Sequence, residues 1–342
     1  MVKIAVIGTG HLGKVHTKLW KEVSGAELIG VFDTNADECR KAAEENKVKA
    51  YIDLPAIIDD VDALSIVTPT FAHFEVAKQA IVKGKHVFIE KPITTTIAEA
   101  SELIELAKNH NVRIQVGHIE RFNPALLAIE KYIRKPMFFE SHRLAQFKPR
   151  GTDVAVVLDL MIHDIDVILS LARSEVVSVD ASGVSVVSDE IDIANARIKF
   201  RNGAVANVTA SRISQTPMRK LRIFEQDAYL SVDFASKSSE VFHLIGADEA
   251  KESKSLVFNL GEIERAEKKL NIIYEKPDVP ELNPLKYELE LFRDAIINNS
   301  IPIVSGEDGL AALDVAEKIM HSIRENNIAA AVSGVNVGTK IG

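Results

Sequence analysis

Along the first third of the chain, short apolar runs alternate with stretches whose apolar residues recur at three- and four-residue spacing. The runs are Lys3–Gly8, Glu27–Asp33, Ala63–Thr68, His86–Glu90 and Arg113–Gly117, and the periodic stretches are His11–Val23, Ala36–Glu45, His73–Lys83 and Ile97–Asn109. Short, mostly apolar strands are covered on both faces, and strands that alternate with helices form a parallel sheet. The pattern predicts a doubly wound α/β domain of the Rossmann type over residues 1–118.

After Gly117 the pattern changes. Pro124–Ile133 and Ala155–Leu171 keep helical spacing, whereas Val176–Tyr274 becomes strand-like and rich in turn residues. Ala194–Arg212 reads as a hairpin that turns at Asn202-Gly203, a pair suited to the positive φ of a tight turn. Ala228–Phe234 and Leu256–Leu260 are further strands, and helices over Pro284–Asn298 and Glu307–Asn326 follow. These features predict a second, α+β domain over 119–330, for substrate binding and oligomerisation, with a mostly antiparallel, open-faced sheet. The small, Gly-rich stretch from Ala329 is expected to be poorly ordered, with 331–342 as a flexible tail.

A length of 342 residues fits two domains. The net charge of −8 argues against a nucleic-acid surface or a patch for anionic membranes. No apolar run approaches the roughly 20 residues that span a bilayer, and the opening MVKIAVIGTG lacks the layout of a secretory signal. The single cysteine, Cys39, excludes an internal disulfide and a Cys-based metal site. A reducing, cytoplasmic setting is the expectation.

The first run ends in Gly8-Thr9-Gly10-His11-Leu12-Gly13, a G-x-G-x-x-G that follows a strand and opens a helix. Gly8 suits the tight turn, Gly10 lets a pyrophosphate approach the backbone, and Gly13 lets helix and strand pack closely. The helix N-terminus then offers N–H groups and partial positive charge to phosphates. Asp33 ends the second strand, where a carboxylate accepts hydrogen bonds from ribose hydroxyls and repels a 2′-phosphate. Thr34 and Asn35 bring no cation to hold such a phosphate, so NAD is expected over NADP. Capping the next helix is the other reading of Asp33.

The strand His86–Glu90 ends in Glu90-Lys91-Pro92, at the sheet edge that faces ligand in such folds. Lys91 can reach a substrate from there, or be a surface lysine before a rigid, cis-prone proline. Asp159 and His163 stand four apart in a helical pattern, with Asp166 close to the same face. Polar groups in so apolar a helix are costly without partners. An imidazole with a carboxylate beside it suits proton abstraction near neutral pH. A core histidine and a metal site are the competing readings; no third ligand is evident, and no metal is expected.

Four stretches together resemble the Gfo/Idh/MocA family of oxidoreductases: GTGHLGKVH, VTPTFAH, GKHVFIEKP and DLMIHDID. The resemblance implies a nicotinamide cofactor and oxidation of a secondary alcohol on a sugar, cyclitol or nucleotide sugar. It implies Lys91, Asp159 and His163 as the catalytic group, and Thr68, Pro69, His73 and Glu90 lining the cofactor beside Gly8, Gly10, His11, Leu12, Gly13 and Asp33. Where many relatives carry a Gly-rich lead-in to the Asp-x-x-x-His stretch, this chain has Val154–Leu158 (VAVVL). GHIERFNPA and LDLMIHDIDVIL are similar to the family's UDP-N-acetylglucosamine 3-dehydrogenase branch. Arg121 and Asn123 are then substrate-binding candidates, Arg121 as an anion partner or else as part of an inter-domain salt bridge. Arg143, Lys148 and Arg150 add positive charge to a diphosphate or are solvated surface residues.

Two rival readings stand beside this one. Another Rossmann reductase, of an amino-acid or bile-pigment pathway, has no need of Asp159 and His163 on one face. A non-catalytic dinucleotide sensor gains nothing from Lys91 and His163. The open face of the second sheet needs cover, which predicts a homodimer or homotetramer.

Overall fold

A computed structural model describes residues 1–148, 152–246, 256–265 and 268–332. Arg150 and the tail from 333 lie outside the described residues. The chain divides into two compact units, Met1–Phe122 with Leu282–Asp314, and Asn123–Glu281 with the chain from Val315 on.

The first unit alternates strand and helix: β1 (Val2–Ile7), α1 (His11–Trp20), β2 (Ala26–Phe32), α2 (Ala36–Asn46), β3 (Lys49–Ala50), α3 (Leu54–Asp60), β4 (Ala63–Ile66), α4 (His73–Val82), β5 (His86–Glu90), α5 (Ile97–Asn109) and β6 (Ile114–Gly117). The strands form one parallel sheet in the order β3-β2-β1-β4-β5-β6. The order in which the chain adds strands switches sides between β1 and β4, and ligands of such sheets bind outside the carboxyl ends at that point. β3 and α3 escape the periodicity because they are short. Asp53 caps α3 by accepting from Ala56 N–H, and a proline stands at its start.

The helix Pro284–Ile297, which sequence position placed in the second domain, packs in this unit. Its Leu285, Leu289 and Phe292 join Ile4, Val6, Trp20, Val31 and Phe88 in one buried cluster. Phe292 meets Trp20 and Phe88 edge-on, with centroids 6.4 and 5.9 Å apart. An apolar stripe needs a partner face wherever the chain supplies one; here α1 and the sheet supply it.

The second unit contains α6 (Pro124–Ile129), β7 (Phe138–Leu144), a π-helical turn (Val157–Met161), α7 (Ile162–Ala172), β8 (Val176–Val184), β9 (Ile193–Phe200), β10 (Val205–Ser211), β11 (Met218–Phe224), β12 (Ala228–Asp233), β13 (Ser238–Gly246), β14 (Leu256–Arg265) and β15 (Lys268–Lys276). The strands form one sheet in the order β14-β15-β13-β12-β11-β7-β10-β9-β8, antiparallel except where β10 runs parallel to β7. The predicted hairpin is β9–β10, and Gly203 turns it with φ of +89°. Phe139, Ala196, Ile198, Val208 and Ala210 are buried on one face of this sheet, against which α7 lies. A row of rings crosses the opposite face from β7 to β14: Phe138, Phe224, Tyr229, Phe242, Tyr274 and Phe258.

The last helix runs Gly306–Val332, past the expected stop at Asn326. Alanine is the strongest helix former, so Ala329-Ala330-Ala331 continues the helix where smallness alone suggested disorder. No helix of the described residues is long and apolar enough to cross a membrane.

Candidate active site

The β1–α1 turn has the geometry of a pyrophosphate cradle. Gly8 has φ of +94°, and a Cβ there would come within 2.6 Å of the Val67 carbonyl oxygen. A Cβ on Gly13 would strike the Gly8 carbonyl oxygen at 1.9 Å, so that glycine sets the close approach of helix to strand. A Cβ on Gly10 would meet nothing within 4 Å; it would project into the open space a phosphate needs. No side chain caps α1 and no acidic residue stands in its first turn, which leaves that turn to an anion. His11 and Leu12 are exposed there.

Asp33 is not the cap of α2. Asn35 fills that role, accepting from Asp37 and Glu38 N–H. The Asp33 Oδ2 instead accepts from Thr9 N–H at 2.6 Å and Thr9 Oγ1 at 3.0 Å, and Oδ1 accepts from Asn35 N–H at 2.8 Å. A carboxylate offers about four acceptor positions, so Asp33 can brace the glycine turn and still accept from a ribose hydroxyl. At the end of β4, the Thr68 hydroxyl is buried without a hydrogen-bond partner, a polar atom that a bound ligand would satisfy. Pro69 beside it is exposed. The open Gly10, the uncapped helix, Asp33 and Thr68 fit a dinucleotide.

His73 is 1% exposed. Its Nδ1 lies 2.9 Å from the Pro92 carbonyl oxygen and its Nε2 2.9 Å from that of Thr68. The ring therefore ties together the segments that follow β4 and β5. Burial pushes its pKa down against the pull of the two carbonyls, so the neutral ring donates to one of them at a time.

Lys91 follows β5 directly and is half-buried, and its peptide bond to Pro92 is cis. Glu90 is turned toward His16 of α1: His16 Nε2 lies 3.0 Å from Glu90 Oε1, and the Glu90 side chain is 12% exposed. His16 closes the motif GTGHLGKVH, but its surroundings are not local. Its partners lie 49 and 74 positions away, and no local pattern reports them.

In the second unit, Asp159 stands in the π turn and His163 at the start of α7, and both are half-buried. The regular helix predicted there is corrected: a π turn takes more residues per turn than the α-helix's 3.6, which brings residues four apart nearer to one line. The VAVVL lead-in anchors this turn. Ala155, Val156 and Val157 are buried, Val156 N–H donates to Ile191 O at 2.8 Å, and Arg212 donates to the Val154 carbonyl. Asp166 is fully buried.

Arg143, expected near a diphosphate or in solvent, is 3% exposed. Its Nε donates to Asp164 Oδ2 at 2.5 Å, while Asp164 Oδ1 accepts from Ser141 Oγ at 2.7 Å. β7 alternates in burial, which turns Phe139, Ser141 and Arg143 inward together. The pair pins α7 to β7 one residue beyond His163. Lys148 ends a described stretch and is exposed. Arg121 donates to Asp308 Oδ1 at 3.2 Å, a salt bridge inside the first unit where one between domains was the alternative expected. Asn123 caps α6 through Ala125 N–H and donates to the Phe234 carbonyl at 3.2 Å. Among the described residues no cluster of three His, Cys, Asp or Glu is set to hold a metal.

Residues 2–118 match the family model described as an oxidoreductase family with an NAD-binding Rossmann fold, and residues 135–231 match the GFO/IDH/MocA C-terminal domain. The chain is 43% identical to the UDP-N-acetylglucosamine 3-dehydrogenase of Acidithiobacillus ferrooxidans over 71% of this chain and 77% of that enzyme. A solved structure of that enzyme superposes with a TM-score of 0.83 at 35% identity, covering 95% of this chain and 98% of the other. The scyllo-inositol 2-dehydrogenase (NAD(+)) of Bacillus subtilis is 32% identical over 62% of this chain and 68% of its own length.

Proposed function

The chain belongs to the Gfo/Idh/MocA family of NAD-dependent dehydrogenases, and on that premise we propose that it oxidises the 3-hydroxyl of UDP-N-acetylglucosamine or a close nucleotide sugar. The observation that carries the substrate is the 43% identity across 77% of an enzyme of that name. NAD, when bound, supplies the hydride acceptor. His163 takes the hydroxyl proton as base. Lys91 hydrogen-bonds the same oxygen and stabilises the negative charge that develops on it. Asp159 orients the substrate or His163, and the buried Asp166 supports that helix from within. With Arg121 and Asn123 committed to partners in their own units, substrate contact is assigned here to Lys91, Asp159 and His163. The dehydrogenase names of the relatives support this reading over a sensor or another Rossmann reductase.

The test is NADH absorbance across UDP-N-acetylglucosamine, free hexoses and inositols, with NAD and NADP in parallel. The nucleotide sugar is expected to exceed the others by at least about tenfold in kcat/KM, since a site built for polar groups rejects substrates that leave them unfilled. NAD is expected to be favoured over NADP, because Asp33 would oppose a 2′-phosphate. Turnover of inositols with none of the nucleotide sugar overturns the substrate.

We also propose that the chain forms a homodimer or homotetramer through the face bearing the ring row, since a large apolar patch on a sheet calls for cover. Sedimentation of the wild type beyond monomer mass, lost in a Phe242→Glu variant, is the expected result; a monomeric wild type refutes it. The cytoplasm is the proposed compartment, because buried Cys39 is the chain's only cysteine. Fractionation that recovers the protein outside the cytoplasm would overturn that placement.

A further inference from the structure

His16 is a fully buried polar side chain that the proposed chemistry leaves without a task. Its ring bridges two strands of the first unit. Nδ1 lies 2.9 Å from Ser65 Oγ on β4, and Nε2 lies 3.0 Å from Glu90 Oε1 at the end of β5. Ser65 and His16 are both 0% exposed. A carboxylate only accepts, so Nε2 carries the proton, and in the neutral ring Nδ1 then accepts from the Ser65 hydroxyl. One tautomer satisfies every polar atom of the set. Phe88 holds the ring edge-on at 5.5 Å.

The other carboxylate oxygen of Glu90, Oε2, accepts from the backbone N–H of Lys91 at 3.3 Å. Space for this arrangement comes from Gly117 on β6, where a Cβ would come within 2.8 Å of the Glu90 carboxylate. The carboxylate is thus held from three sides: by the α1 imidazole, by the bare backbone of β6, and by the N–H of the lysine that follows it. Because His16 sits on the helix whose N-terminus forms the phosphate cradle, one ring links the cofactor-binding helix to the strand end that presents Lys91.

We infer that His16 is a positioning residue, which by orienting the Glu90 carboxylate fixes the backbone from which Lys91 projects. This rests on the reading of Lys91 as the group that contacts the substrate oxygen. It assigns Glu90 to the support of Lys91 rather than to the cofactor. Ser65 holds the ring from its Nδ1 side, and Gly117 keeps the space open.

The test measures Lys91 without requiring turnover. Trace acetylation of the full-length chain, read by mass spectrometry at Lys91 against the exposed Lys47, is compared among wild type, His16→Leu, His16→Gln and Ser65→Ala. His16→Leu is expected to change the Lys91 rate relative to Lys47 by about three- to tenfold, the scale of one buried hydrogen bond. His16→Gln, whose amide N–H can replace Nε2–H, restores it, and the NADH dissociation constant stays within about twofold of wild type in both. Unchanged Lys91 labelling in His16→Leu overturns the inference. If that variant does not fold, Ser65→Ala, which removes only the hydroxyl, decides by the same readout. A Lys91→Met variant with wild-type turnover of UDP-N-acetylglucosamine sinks the catalytic reading of Lys91 instead, so the two failures are told apart.

Discussion

Replacing His163 by Asn is expected to lower kcat about 10²- to 10⁴-fold, the usual worth of a positioned general base. Replacing Lys91 by Met is expected to cost about 10²- to 10³-fold through lost stabilisation of the alkoxide-like oxygen. On the proposed assignment of the dinucleotide to Gly8–Gly13, Asp33 and Thr68, neither change is expected to alter NADH affinity more than about twofold. If both act on one oxygen, as proposed, the double variant should lose less than the sum of the two losses. Steady-state kinetics with the best substrate, beside NADH fluorescence titration, gives both quantities. Near-wild-type turnover in both single variants would remove the assignment.

Arg143→Met is expected to destabilise the second unit by about 3–5 kcal/mol, because it leaves the Asp164 carboxylate buried beside one hydroxyl. The pair is 4% and 2% exposed, with the guanidinium reaching both carboxylate oxygens at 2.5 and 3.4 Å. Removing both charges, in Arg143→Met with Asp164→Leu, should recover most of that loss, since a buried ion pair contributes little net stability over an apolar replacement of similar volume. Urea unfolding monitored by circular dichroism checks both variants. The same contact fixes α7 next to His163, so the single variant should also lose turnover at temperatures where it remains folded. A single variant as stable as wild type contradicts the argument.

The first sheet was legible because its information is local. Each strand is an apolar run, each helix a periodic one, and the glycine turn names its own geometry. The β9–β10 hairpin was readable for the same reason, from Asn202-Gly203. What escaped depends on partners distant in sequence. β7 reads poorly as a strand because Ser141 and Arg143 occupy inward positions that alternation reserves for apolar residues, where Asp164 pairs with both. The π turn escaped because apolar spacing does not distinguish it from an α-helix over five residues. The helix Pro284–Ile297 showed its stripe but not which core the stripe would join.

The candidate site was legible to the same degree. Gly8, Gly10 and Gly13 stand as the motif demanded, because each job is set by its own backbone. Asp33 proved to brace Thr9, and His73 to clamp two carbonyls, since side-chain partners are a matter of fold. Arg121 and Asn123 looked available in a polar stretch; Asp308 and the Phe234 carbonyl, which occupy them, lie 187 and 111 positions away.

The proposed chemistry requires Lys91 and His163 to serve one alcohol. The direct measurement is a crystal structure of the chain with NADH and UDP-N-acetylglucosamine, a pairing that cannot react forward. Lys91 Nζ and a ring nitrogen of His163 are each predicted to lie about 2.6–3.2 Å from the same substrate hydroxyl oxygen. Two different oxygens, or either side chain turned away from the sugar, would contradict it.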